Sequence, residues 1–388
     1  MPTESPWEIP LSDLVIDSEL EAAVRETVLS GWWSMGPRIA EFEAAFGEFV
    51  GTEHAFAVAN GTAALHLALL AVGCGPGDEV VLPSLNFVAA ANVAVRIGAT
   101  PVFCDIGGGT DLNLDPEDVR AAIGPATKAI VALHYGGLPC AIDRLRELAD
   151  EAGIALVEDA AHAPGASAGG RAMGSIGDLG CFSFFANKNM PVGEGGMVVT
   201  RDPELADRVR LLRSHGMTTL TWDRARGHAH SYDVVLPGFN YRLDEVRAAL
   251  GLVQLGRLPA ENQARQRIVE RYRAVLEPHG IELLPRAPAE GTEAAYHLAV
   301  ALLPAGVEQQ TVREALQAKR IQTSFHYPPI HTFSAYRDHS RRALPQTEEA
   351  AKRLVTLPLY GHMDDEAVER VAAAVVEAVR SERATTSA

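Results

Sequence analysis

Cysteine is scarce in this chain: four residues in 388, at positions 74, 104, 140 and 181. They lie far apart, form no CxxC pair and have no matching histidine cluster, so no metal site is expected. This usage fits a reducing cytoplasm. Long apolar runs are absent as well. No stretch of about 18 apolar residues occurs, so no membrane span is expected. The opening MPTESPWEIP has no basic region followed by an apolar run, which speaks against a signal peptide. Basic residues are also in short supply. Lys and Arg total 34 against 50 Asp and Glu, a formal net charge of -16. Such a field repels a phosphate backbone, and a general nucleic-acid binder is excluded on that ground.

What the chain does contain is globular: 47% apolar and 22% charged residues. Its length suits one large core or two domains. The charge is uneven. Residues 1–200 hold 26 acids and 9 bases, whereas the remainder hold 24 and 25. An anionic ligand would therefore find basic contacts mainly in the second half.

Strand-like and helical segments alternate from residue 18 to about 250. Strands are predicted over 79–83, 100–105, 129–133, 154–158, 180–185 and 196–200, with helices over 18–30, 88–97, 116–122 and 142–152. The resulting fold class is α/β, with a mostly parallel sheet between helices. In such sheets ligands bind at the carboxyl ends of strands, and Asp159 sits at one. A large domain is expected over 1–250 and a smaller C-terminal α/β domain over 251–388. The second region opens with an Arg-rich helix over 258–276. It continues with alternation over 296–303, 311–319 and 321–325, and it ends in a helix over 364–380.

Four features carry chemistry together, although each alone has a plainer reading. Asn60, Gly61, Thr62 and Ala63 form a small-residue turn that opens a helix, where free N–H groups and the helix dipole favour phosphate. Asp159 ends a strand and is followed by His162. This fits a carboxylate placed against a cationic ring nitrogen, but also a helix N-cap or a metal ligand. Lys188 stands between an apolar strand and the turn around Gly195, and only it and Lys128 are lysines in the first 200 residues. A lysine in an apolar pocket can form a Schiff base. Asn240, Tyr241 and Arg242 precede a further helix and suit either an anion or a cap. Jointly these residues describe a pyridoxal 5'-phosphate site: Schiff-base lysine, carboxylate at the ring nitrogen, phosphate cup and stacking aromatic.

In this order the motifs are SGWWSMGP at 30–37, NGTAAL at 60–65, GDEV at 77–80, PSLNFV at 83–88 and EDAAH at 158–162. They continue with SFFANKN at 183–189, GEGGM at 193–197, GFNYR at 238–242 and HYPP at 326–329. The chain thereby resembles the DegT/DnrJ/EryC1/StrS sugar aminotransferases over nearly its whole length. The resemblance implies the fold type I architecture, with a seven-stranded sheet in the large domain and pyridoxal phosphate as cofactor.

Residue by residue, it implies that Lys188 bears the cofactor and moves protons, and that Asp159 holds the pyridine nitrogen. His162 stands where many members carry Gln, and either can bond the ring hydroxyl. Phe87 would stack on the ring. Gly61, Thr62, Ala63 and Ser183 would hold the phosphate. Asn240 would reach the neighbouring subunit's cofactor, which makes the enzyme a homodimer with shared sites. Trp33, Met35, His326, Tyr327 and His331 match substrate-facing segments. Arg224, in a loop of the less acidic half, suits a diphosphate through forked hydrogen bonds. The implied reaction moves an amino group from an amino acid donor, glutamate above all, to a keto sugar, most naturally a nucleotide-linked one. A keto-cyclitol is the near alternative. A sugar dehydratase or a non-catalytic protein of the same fold are the others. The resemblance implies that the dehydrating relatives replace the lysine, often with His, so Lys188 counts against that class.

Overall fold

The computed structural model describes residues 5–219, 231–286 and 288–386. Its centre is a seven-stranded sheet built from β1 (His54–Val58), β2 (Glu79–Pro83), β3 (Thr100–Cys104), β4 (Thr127–Leu133), β5 (Ala155–Asp159), β6 (Leu179–Ser183) and β7 (Gly196–Thr200). The spatial order is β1-β7-β6-β5-β4-β2-β3. Only β7 runs against its neighbours β1 and β6; the other pairings are parallel. The strands are apolar nearly throughout, as burial on both faces requires.

Helices cover both faces. On one, α1 (Ser18–Leu29) and α2 (Pro37–Val50) pack with the long α7 (Glu245–Leu276). Proline at the first turn of α2 starts the helix with a preset φ and no wasted N–H. The buried face of α2 presents Ile39, Phe42, Phe46 and Val50, at helical spacing. Phe46 meets Phe182 of β6 edge-on with centroids 4.9 Å apart. Burying such a ring contributes about 1.5–3 kcal/mol. On the other face lie α3 (Gly61–Ala71), α4 (Ala89–Arg96) and α6 (Pro203–Arg213). α5 (Ile142–Ala152) returns to the first face, burying Ile142, Leu145, Leu148 and Ala149.

A three-stranded antiparallel sheet of β8 (Glu282–Leu284), β9 (Ala299–Leu302) and β10 (Leu354–Leu357) makes a second layer with α8 (Gln309–Ala318) and α9 (Asp365–Thr386). α7 passes through residue 250 without a break. Its Ala248, Leu255 and Leu258 enter the first core, and its Ile268, Val269, Tyr272 and Leu276 enter the second. The helix expected after Arg242 and the one expected over 258–276 are thus one, with Pro259 inside it. Residues 321–325 form no strand of their own: Ile321 bridges to Ile9 while Ser324 bridges to Thr356, so no single partner strand extends a ladder. Among the described residues no helix is long and apolar enough to cross a membrane, and no cluster of His, Cys, Asp and Glu could hold a metal ion.

Candidate active site

A cavity of about 650 Å³ opens at the carboxyl edge of the large sheet. Its walls come from the turn after β1, the segment 86–89 after β2, the ends of β4, β5 and β6, and the loop bearing Lys188. Residues 324–328 and Phe333 lie across it.

One end is made by main chain. Asn60 is extended, and its Oδ1 accepts the Ala63 N–H at 2.8 Å, which caps α3. The N–H groups of Gly61 and Thr62 have no protein acceptor among the described hydrogen bonds. A Cβ on Gly61 would come 2.8 Å from the Ser183 Cβ and 3.2 Å from its Oγ. Only glycine therefore lets the helix N-terminus lie against the end of β6. Two open amides, the helix dipole and the Ser183 hydroxyl make a cup for a phosphate. Ala63 does not join it: it is buried, outside the cavity wall, and its N–H is spent on Asn60.

The other end is made by side chains. Consecutive residues of β5 point to opposite faces. Glu158 points away from the cavity and is held by His134 and by the N–H groups of Gly174, Ile176 and Gly177. Asp159 points into the cavity and is 5% exposed. Its Oδ2 accepts from Asn86 Nδ2 at 3.2 Å and its Oδ1 from the Ala161 N–H at 3.3 Å. Burial raises the Asp159 carboxyl above its ordinary value. Asp159 takes part in none of the ion pairs among the described residues. A buried carboxylate in this condition suits a cationic group on a ligand.

Lys188 faces the same space, half-buried. Burial pushes its ammonium down to about 8, with Asp159 pulling the other way. His162 is buried, and burial first, then Lys188, hold it neutral. The Gly136 N–H donates to its Nδ1 at 3.3 Å, so its proton sits on Nε2, 2.9 Å from the Tyr327 hydroxyl oxygen. A hydroxyl on a bound ring would have to share that Nε2–H with Tyr327. Phe87 is 56% exposed and forms a wall, its ring centroid 6.2 Å from that of Tyr327. His326 bonds Thr356 Oγ1 through Nδ1 at 2.8 Å, and burial lowers it to about 4.

Other expected contacts lie elsewhere. His331 is buried outside the cavity wall, its ring nitrogens taken by Ser84 at 2.7 Å and Glu348 at 3.3 Å. Trp33 and Met35 border a separate hollow of about 290 Å³ with Met217 and Arg242. Asn240 is exposed and lines none of the large cavity. Arg224 falls outside the described residues. No arginine lines the cavity among the described residues. Three residues escaped the sequence reading: Asn86, Asn189 and His297. The first two stood inside quoted motifs but drew no role. His297 precedes an apolar strand with no spacing signal to mark it.

The residues fit pyridoxal phosphate. The glycine-built cup would take the phosphate, Asp159 the ring nitrogen and Lys188 the reactive carbon. Among known proteins, the spore coat polysaccharide biosynthesis protein SpsC of Bacillus subtilis (strain 168) is 41% identical over 382 residues, 97% of each chain. Among solved structures, the aminotransferase TlmJ of Streptoalloteichus hindustanus has 38% identity and a TM-score of 0.90, covering 96% of this chain and 99% of that one. The PLP form of Spr1654 from Streptococcus pneumoniae has 29% identity and a TM-score of 0.89, covering 96% and 99%. The sequence profile of the DegT/DnrJ/EryC1/StrS aminotransferase family matches residues 15–376, and the chain belongs to that pyridoxal phosphate-dependent family.

Proposed function

We propose that this enzyme transfers an amino group from an amino acid, glutamate in the first instance, to a keto sugar carried on a nucleotide. The observation that carries the reading is the sharing of one cavity by Lys188, Asp159 and the Gly61–Ser183 cup. The polysaccharide pathway in the name of SpsC favours a sugar as acceptor. Pyridoxal phosphate, when bound, supplies an electron-accepting ring and a carbon that takes up the amino group. Asp159 keeps a proton on the ring nitrogen. The Gly61 and Thr62 amides and the Ser183 hydroxyl fix the phosphate. Lys188 Nζ, its proton affinity lowered to about 8, would take up and return the proton of the substrate carbon. The segment 324–328 and Phe87 exclude water from that exchange.

A homodimer is part of the proposal. Leu14, Ile16, Leu29, Trp33, Phe87 and Phe185 are large apolar side chains left exposed. An apolar groove of about 650 Å³ runs between the 14–29 segment and Pro191–Gly193. Asn240 and the Trp33 hollow, which complete nothing in one protomer, are then free to serve the partner's site. The four cysteines are unpaired and buried, which supports a reducing cytoplasm.

The test is a spectrum followed by a screen. The purified protein with cofactor should show a visible absorbance band, absent in Lys188→Ala and bleached by the amino donor. Lys188→Ala should also lower turnover by about 10³-fold or more. Keto sugars, free and nucleotide-linked, and keto-cyclitols are then added to the bleached enzyme. Return of the band with the nucleotide-linked sugar supports the proposal; return only with a cyclitol replaces its acceptor. No band at all overturns it.

A further inference from the structure

Behind Lys188 runs a chain of buried side chains whose hydrogen bonds all point one way. Asn262 on α7 donates Nδ2 to the Pro164 carbonyl at 3.0 Å, which fixes its Oδ1 toward Asn189. Asn189 donates Nδ2 to that Oδ1 at 2.8 Å and to the Ala295 carbonyl at 2.6 Å. A carbonyl only accepts, so the amide cannot be turned round. Asn189 Oδ1 therefore accepts from His297 Nδ1, 3.0 Å away. The His297 proton then lies on Nδ1, and its Nε2 presents a lone pair to Lys188 Nζ at 3.5 Å. Asn189, Asn262 and His297 are all buried. Gly165, at φ +86, makes room: a Cβ there would meet Asn262 Nδ2 at 2.7 Å. Gly136 secures both histidines: its N–H donates to the His162 ring and its carbonyl accepts the His297 backbone N–H at 2.9 Å.

We propose that His297 is a positioning residue for Lys188: whenever the lysine amine is free, the neutral imidazole accepts its N–H and holds Nζ at the reacting face of the cavity. His297 does not itself move the proton, since burial, Lys188, His162, Arg265 and His326 hold its own proton affinity far below the working range. Lys188 also faces Asp159 from β5, which favours its charged form. The lone pair of His297 adds to Asp159 in that sense. Its removal should lower the lysine's proton affinity and loosen its placement.

The inference rests on the proposed role of Lys188 for its catalytic consequence, but not for its geometry. The test therefore reads Lys188 twice. In the full-length protein without cofactor, labelling of Lys188 by an amine-reactive reagent is followed by mass spectrometry against pH. His297→Leu should move the midpoint down by about one pH unit. In the loaded enzyme, His297→Leu should lower kcat by about tenfold or more with KM within about twofold, because misplacement acts on the chemical step. His297→Gln restores an acceptor where Nε2 stood and should recover most of kcat and of the midpoint. His297→Asn keeps the bond to Asn189 but cannot reach Lys188, and should behave like Leu. Melting curves check that each variant is folded. A midpoint unmoved in His297→Leu, or Gln no better than Asn, overturns the proposal. A midpoint that moves while Lys188→Ala leaves the visible band intact would instead overturn the assignment of Lys188 as cofactor lysine.

Discussion

At one end of the cavity, Gly61 and Thr62 leave main-chain donors without protein acceptors; at the other, Asp159, His162, Lys188 and His297 have most polar atoms already engaged. The first end depends on a helix N-terminus and on the absence of one side chain. The second depends on side chains that fix one another's protons. His162 and His297 show this directly. Their rings lie tilted with centroids 4.5 Å apart, yet one carries its proton on Nε2 and the other on Nδ1. Each tautomer is dictated by a group that can act in one sense only: an N–H donating to His162, an amide oxygen accepting from His297. An open end can bind a ligand by supplying what it lacks. An engaged end can only orient and tune. The two ends should therefore fail differently when altered.

The sharpest break of this contrast is Asp159→Asn. The amide keeps the shape but removes the charge that would hold a proton on the ring nitrogen. Turnover should fall by about 10²–10³-fold, the scale of a lost, aligned electrostatic contact. Cofactor should still bind and the visible band persist, because the cup is untouched. Stopped-flow rates of the donor half-reaction check this. Loss of binding with an unchanged rate would reverse the roles assigned to the two ends.

Gly61→Ala probes the open end. Its methyl meets Ser183 at 2.8 Å, with backbone behind it, so the helix N-terminus must shift. Cofactor affinity should weaken by about tenfold or more, which corresponds to about 1.4 kcal/mol. At saturating cofactor, kcat should stay within about twofold. Titration of the band gives the first quantity and steady-state rates the second. A fall in kcat without loss of affinity would mean that the ends are not separable.

Much of this was legible in the sequence, and the reason is local. The strands over 79–83 and 196–200 and the helices over 116–122 and 142–152 appear with the expected bounds. Their signals are short: an apolar run closed by a turn, proline at a first turn, glycine at a left-handed C-cap. The convergence of Gly61, Asp159, Ser183 and Lys188 follows from strand ends gathering at one sheet edge. His297 was invisible because its partners lie 108 and 109 residues away in sequence, and a lone histidine before an apolar strand has no period. His331 misled for the related reason that neighbouring residues diverge: His326 and Tyr327 face the cavity, while a 3-10 turn over Ile330–Thr332 carries His331 to Ser84. Pro259 hid the continuity of α7, since proline in a helix interior ordinarily marks a break.

The smallest effect should come from the engaged end, where partners back one another up. Tyr327→Phe keeps the ring that stacks on His162 at 5.9 Å and removes only the hydroxyl that accepts its Nε2–H. His162 keeps its tautomer, because the Gly136 N–H still occupies Nδ1. The freed Nε2–H then points into the cavity, where a hydroxyl on a bound ring can take the place of the phenol. One neutral hydrogen bond is exchanged for another, so kcat should change by about two- to tenfold at most, the range of a single net hydrogen bond. The band should move slightly, since the ring gains an undivided donor. A loss approaching that of Asp159→Asn would show that the Tyr327 hydroxyl acts on the substrate itself and that the end occupied by these side chains is less closed than its hydrogen bonds make it.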